Sequence, residues 1–175
     1  TDPRWAEGWL ARAESIRARN DLEMCVAMCQ KVLDVVEPGS EWAVKALMGQ
    51  GRVARIRGDH KTARALLEKA AAMYSGADIG RVPYLVQLGI LEATYGDVAK
   101  ARGLYEAALV VARESGEGDV IQEVQFHMAG LFRRLGDSAS AREALTEVRA
   151  WCAANGRRER VAQCANDLAE MDRLH

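Results

Sequence analysis

The sequence predicts an all-α fold of stacked helix pairs, and three observations carry that prediction. A short phrase recurs: Arg57-Gly58-Asp59-His60 is followed by Gly96-Asp97 and Gly136-Asp137, with a degenerate copy at Asn20-Asp21. The four aspartates stand 38, 38 and 40 residues apart, the period of helix pairs that are each too small to bury their own apolar face. Between these markers apolar residues return every three or four positions, and no segment alternates with the two-residue period of a strand.

Each element follows from local signals. Asp2 and Pro3 suit the cap and first position of a helix carrying Trp5, Trp9, Leu10, Ala13 and Ile16. A second helix carries Leu22, Cys25, Val26, Cys29, Val32, Leu33 and Val36 and stops at Pro38-Gly39. Ser40 caps the next, with Ala43, Ala46, Leu47, Val53 and Ile56 on its apolar side, and its partner runs from about His60 to Tyr74 before Ser75-Gly76. After a looser stretch from Gly76 to Val82, Pro83 belongs in a first helical turn, because deeper placement would cost a hydrogen bond. Leu85, Leu88, Gly89 and Leu91 lie on that helix, and Ala101, Leu104, Tyr105, Ala108, Leu109 and Ala112 on its partner. Gly116 to Gly118 is a break, and Asp119 is the expected cap of a helix carrying Val124, Met128, Ala129, Leu131 and Phe132. The next helix, about Ala139 to Ala154, ends at Asn155-Gly156, and Arg157 to Asp172 forms a last, lone helix that covers the final apolar face. The expected units are 2–39, 40–77, 78–116 and 117–156, with a capping helix over 157–172, all in a single domain over 1–175.

The bulk properties narrow the function. With 175 residues, 49% hydrophobic and 28% charged, the chain is long enough for a real core. A net charge of −1 lacks the basic excess of a dedicated nucleic-acid binder. No apolar run reaches bilayer length and no secretory signal pattern opens the sequence, so no membrane partner and a cytoplasmic location are expected. The first residue is Thr1 rather than Met, which leads us to expect a piece of a longer protein. The cysteines, Cys25, Cys29, Cys152 and Cys164, read as small core residues. His60 and His127 add no ligand-like spacing, so neither metal nor cofactor is expected.

Small residues recur at fixed offsets from the marker aspartates. Four after come Cys25, Ala63, Ala101 and Ala141, and eight before come Ala13, Gly51, Gly89 and Ala129. Eleven after come Val32, Ala70, Ala108 and Val148. Small side chains at a helix crossing let two backbones approach while larger neighbours interdigitate.

With Gly-Asp at the turn and Leu67, Tyr105 and Leu145 eight residues after it, this pattern resembles the tetratricopeptide repeat over essentially the whole chain. The period exceeds the family's usual 34 residues, and its closing proline is matched only by Pro38. Phrases such as Ala63-Arg64-Ala65-Leu66-Leu67-Glu68 make the longer unit similar to arrays in bacterial signalling ATPases and transcriptional regulators. The resemblance implies a right-handed α-solenoid of four helix pairs and a capping helix, whose first helices line a concave groove for peptides or protein segments.

By the same resemblance the groove-facing positions are Glu7, Leu10, Glu14 and Arg17; Lys45, Met48, Arg52 and Arg55; Val86, Ile90, Ala93 and Thr94; and Glu123, Phe126, Gly130, Arg133 and Arg134. The peptide-binding residues expected from these are Lys45, Met48, Arg52, Arg55, Val86, Ile90, Phe126, Arg133 and Arg134. An apolar middle flanked by arginines suits a segment with an apolar anchor and acidic flanks, since Arg pairs carboxylates bidentately. The Lys/Asn clamp of chaperone-binding relatives is absent, because Leu10 and Glu14 stand at the corresponding positions.

The expected function is therefore a non-catalytic protein-interaction scaffold. The alternative is a regulatory, effector-sensing or self-association domain of a larger bacterial signalling or transcription regulator, with self-association through the end repeats. Gly49-Gln50-Gly51-Arg52-Val53-Ala54 satisfies a dinucleotide fingerprint, but it falls inside a helix where no strand precedes it. Arg157-Arg158-Glu159-Arg160 reads as a solvated helix start. His127 has no acid or nucleophile at a convincing spacing, so no catalytic residue is expected.

Overall fold

The computed structural model describes residues 3–73 and 79–173. Among them are nine α-helices and no strand: α1 (Pro3–Ala18), α2 (Leu22–Leu33), α3 (Glu41–Ile56), α4 (His60–Met73), α5 (Val82–Tyr95), α6 (Val98–Ser115), α7 (Gly118–Arg134), α8 (Ser138–Ala154) and α9 (Arg158–Arg173). A short 3-10 turn, Ile79–Arg81, precedes α5, and Pro83 occupies its first turn as the proline rule requires. The expected cap at Asp2, the helix end at Tyr74 and the Ser75-Gly76 break lie outside the described residues.

The recurring Gly-Asp phrase divides its labour between two helices. Gly58 and Gly136 adopt φ of 79° and 76°, and Asn20 takes the same left-handed conformation at 64° in the degenerate copy. That conformation ends a helix, and only glycine and, less easily, asparagine reach it cheaply. The aspartate that follows then starts the next helix. Asp21 accepts from the Met24 amide at 3.1 Å, Asp59 from Thr62 at 3.0 Å, Asp97 from Ala99 at 2.7 Å and Asp137 from Ser140 at 3.1 Å. Ser40 caps α3 in the same way through Ala43 at 3.2 Å. Hydrogen bonds from Thr62 and Ser140 hold the Asp59 and Asp137 carboxyls below the usual carboxylate range.

Gly96 departs from this pattern. The Glu92 carboxylate folds over it, so a β-carbon at Gly96 would meet that side chain head-on. Glu92 is only 2% exposed, and its partners include Lys100 Nζ at 2.9 Å.

Two sequence expectations are corrected. Asp119 does not cap α7: the cap position is Glu117, without a side-chain hydrogen bond, and α7 begins at Gly118. Asp119 lies in the first turn, where Arg157 takes both its carboxylate oxygens, Nε binding Oδ1 at 2.7 Å. Helix α2 ends at Leu33 rather than reaching Val36. Val36 still packs against the core from the turn beyond, so its apolar spacing belongs to the turn rather than to the helix.

The chain falls into two compact units, Thr1–Leu91 and Glu92–His175, divided within α5. In the first, α1 packs on α2 and α3, α2 on α3, and α3 on α4. Ala6, Ala13, Cys25, Cys29, Val32, Ala46 and Val53 form a shared core there. In the second, α6 packs on α7, α7 on α8, and α8 on α9. Ala129, Ala141, Leu145, Val148 and Cys152 meet Cys164, Leu168 and Met171 of α9. All twelve small residues at the three recurring offsets are buried. Their larger neighbours Leu67, Tyr105 and Leu145 are 1–2% exposed, and each such side chain contributes about 1.5–3 kcal/mol by leaving water.

Candidate functional site

The first unit contains a pocket of about 580 Å³. Its walls come from the expected groove-facing side of the first helices: Glu7, Leu10 and Glu14 of α1, and Lys45, Met48 and Arg52 of α3. Cys25 and Cys29 of α2, together with Gly49, close the floor, and Trp42 stands at one side. Helical periodicity explains this convergence, because Leu10 and Glu14 are one turn apart, as are Lys45, Met48 and Arg52. Gly49 is needed for closure, since a β-carbon there would stand 2.7 Å from Cys29 Sγ.

The charges on the walls are arranged in pairs. Glu14 accepts Arg17 Nε at 3.0 Å and Nη2 at 2.8 Å through one oxygen, and Arg52 Nη2 at 2.6 Å through the other. Lys45 pairs with Glu41 and lies 4.9 Å over the Trp42 ring. The floor is neutral: burial raises both thiols, Cys29 to about 12, and the two thiols share a hydrogen bond.

The expected site residues fare differently. Lys45, Met48 and Arg52 are brought together in this pocket, although Met48 is only 5% exposed. Arg55 and Ile90 are half-buried, while Val86 belongs to the buried core. In the second unit α9 engages the α7 residues. Arg133 pairs with Asp167 at 3.1 Å and Glu170 at 2.7 Å, and Arg160 lies 4.3 Å over the Phe126 ring. Arg134 is exposed.

His127 also differs from expectation. Glu123, one turn before it, meets its Nε2 at 3.1 Å and also pairs with Arg160. The His127 ring stacks on Tyr105 at 6.3 Å. The i, i+4 spacing of Glu123 and His127 is the signal of this pair in the sequence. Trp42 and Gly49 also escape the sequence reading as site residues. Nothing in the repeat pattern marks Trp42, and Gly49 stands outside the recurring small positions.

All four cysteines are free and buried. Among the described residues no group of three or more His, Cys, Asp or Glu side chains is placed to hold a metal ion. No helix among them is long and apolar enough to cross a membrane. The fingerprint-like glycines lie within α3, on its packed side.

No protein-family model and no curated protein sequence matches the chain. Solved structures do. The nearly identical TPR-like repeats of a candidate kinesin light chain from Podosopora anserina superpose with a TM-score of 0.67 at 15% identity, over 98% of this chain and 97% of that one. A variant form of the same repeats gives 0.66 at 15% identity, over 98% and 96%. The fold is that of TPR-like repeats. In this TPR-like chain the pocket is lined by residues of α1, α2 and α3, together with Gly80 and Pro83.

Proposed function

We propose that the protein is a non-catalytic interaction scaffold that seats a segment of a partner protein on the first-helix surface of its N-terminal repeats. One observation supports this most: Leu10, Glu14, Lys45, Met48 and Arg52, all expected on that surface, line a single pocket. A partner segment places an apolar side chain between Leu10, Trp42 and Met48, with an acidic flank toward Arg52. The anchoring interaction is assigned to the first unit because five of its expected surface residues line one pocket.

Ala11 is exposed on the pocket wall, so Ala11→Trp fills the pocket without touching the core. The test is affinity capture from native extract with the parent chain and this variant, each checked for an unchanged melt. The reading expects a partner retained by the parent and lost by Ala11→Trp. Equal retention by both contradicts it.

A further inference from the structure

In a repeat array each first helix meets its neighbours in the same way, so α3 shows what the faces of α1, 38 residues earlier, are shaped to meet. One face of α3 carries Ala46, Gln50 and Val53, with Arg57 just past its end, and α2 covers it. Ala46 and Val53 share a core with Cys25, Cys29 and Val32 of α2. Gln50 Nε2 donates to Gln30 Oε1 at 3.1 Å, and Arg57 Nη2 pairs with Glu23 at 2.6 Å. The start of α2 therefore lies against the end of α3, and the two helices run antiparallel.

Thirty-eight residues before these four positions stand Gly8, Arg12, Ser15 and Arg19. All four are exposed, although Ala46 and Val53, the counterparts of Gly8 and Ser15, are buried. Nothing lies within 4 Å of a β-carbon built on Gly8. The side chains of Arg12 and Arg19 have no ion pair or hydrogen bond among the described residues. The face that α2 closes on α3 is thus open on α1, with small residues along its middle and two uncommitted cations beside them.

We propose that this face docks an amphipathic helix of a partner protein, laid antiparallel on α1 as α2 lies on α3. Gly8 and Ser15 let its backbone approach, as small residues do at other crossings in this chain. The charges define the partner. Arg19 stands where Arg57 receives Glu23, and Arg12 stands where Gln50 receives Gln30. Glu23 and Gln30 are seven positions apart, as are Arg12 and Arg19. The partner helix therefore carries two acids seven positions apart, beside an apolar ridge of the size of Cys25, Cys29 and Val32. None of the four α1-side residues lines the pocket, so this surface goes beyond the scaffold reading and is tested without it.

The probe is a synthetic peptide with the sequence of residues 21–36 carrying Cys25→Ala, Cys29→Ala and Gln30→Glu, its helicity checked by circular dichroism. Isotope-labelled protein is titrated with it, and backbone amide shifts are read. Saturable shifts at Gly8, Arg12 and Ser15 are expected, and Gly8→Trp should abolish them. A second peptide with Glu23→Lys and Gln30→Lys should bind roughly tenfold more weakly. The Arg12→Glu, Arg19→Glu double variant should reverse that preference. Absence of binding by the helical peptide, equal binding of both peptides, or shifts on α3 in place of α1 would overturn the proposal. So would a dimer of the protein alone, seen by sedimentation and dissociated by Gly8→Trp, which would assign the face to a second copy of this chain.

Discussion

Gly51 of α3 lies against Leu67 of α4: a β-carbon at Gly51 would stand 3.1 Å from Leu67 Cγ and 3.6 Å from the Ala63 carbonyl oxygen. These are the positions eight before, eight after and four after Asp59, so an interval in the sequence is a helix crossing in space. Alanine at Gly51 would gain ~0.5–1 kcal/mol in helix propensity. It would also press on a leucine that is 1% exposed and has little room to move, an overpacking cost of ~1–3 kcal/mol. Gly51→Ala is expected to lower the melting temperature. Gly130→Ala on α7, where nothing lies within 4 Å of the added carbon, should stabilise by ~0.5–1 kcal/mol. Shifts of the same sign in both variants would contradict the crossing argument.

Ala101 holds the equivalent four-after position behind Asp97 and is fully buried. Ala101→Leu forces extra carbons into a filled interior and should destabilise by ~1–3 kcal/mol in denaturant titration. An unchanged midpoint would show that the position has room and is not a close crossing.

Glu123 links the stability of the second unit to pH. The hydrogen bond from His127, followed by the charge of Arg160, holds its carboxyl below the usual range. A depressed carboxylate stabilises fully above its unfolded pKa, and the contribution is lost as pH falls through the lower folded value. Glu123→Gln should therefore melt earlier than the parent at pH 7, with the gap closing below about pH 4. Melting series from neutral to acid pH check this, and a gap of constant size would contradict it.

The four buried thiols should be slow nucleophiles. Burial raises each of them above its ordinary value, Cys29 to about 12. Native protein should react with a maleimide on the order of a hundredfold more slowly than denatured protein. The lag should cover all four sites in mass spectrometry. A cysteine labelled equally fast in both states would show that its pocket or core is open.

Much of this architecture is legible in the sequence because it is local. Ser40 caps the helix it is expected to cap, and the marker aspartates stand at helix starts, since a cap bonds an amide two or three residues on. The small residues around each marker are legible because their offsets repeat. Asp119 misleads because its partner, Arg157, is 38 residues away, and a bidentate guanidinium outcompetes a local amide. The commitments of Arg133 to Asp167 and Glu170 are hidden for the same reason. Their sequence offsets become contacts only once α9 has docked on the second unit. Met48 and Arg52 reach the expected binding surface through family resemblance. That Cys25, Cys29 and Gly49 close its floor depends on packing among three helices, which no single-helix pattern encodes.

The most direct test of the central claim is site-specific photocrosslinking in native extract. A benzophenone amino acid replaces either Ala11 on the pocket wall or Val110, which is 56% exposed on α6. The account predicts a discrete crosslinked partner from position 11 and none from position 110. The same partner crosslinked from both positions, or only from position 110, would contradict a binding surface centred on the pocket.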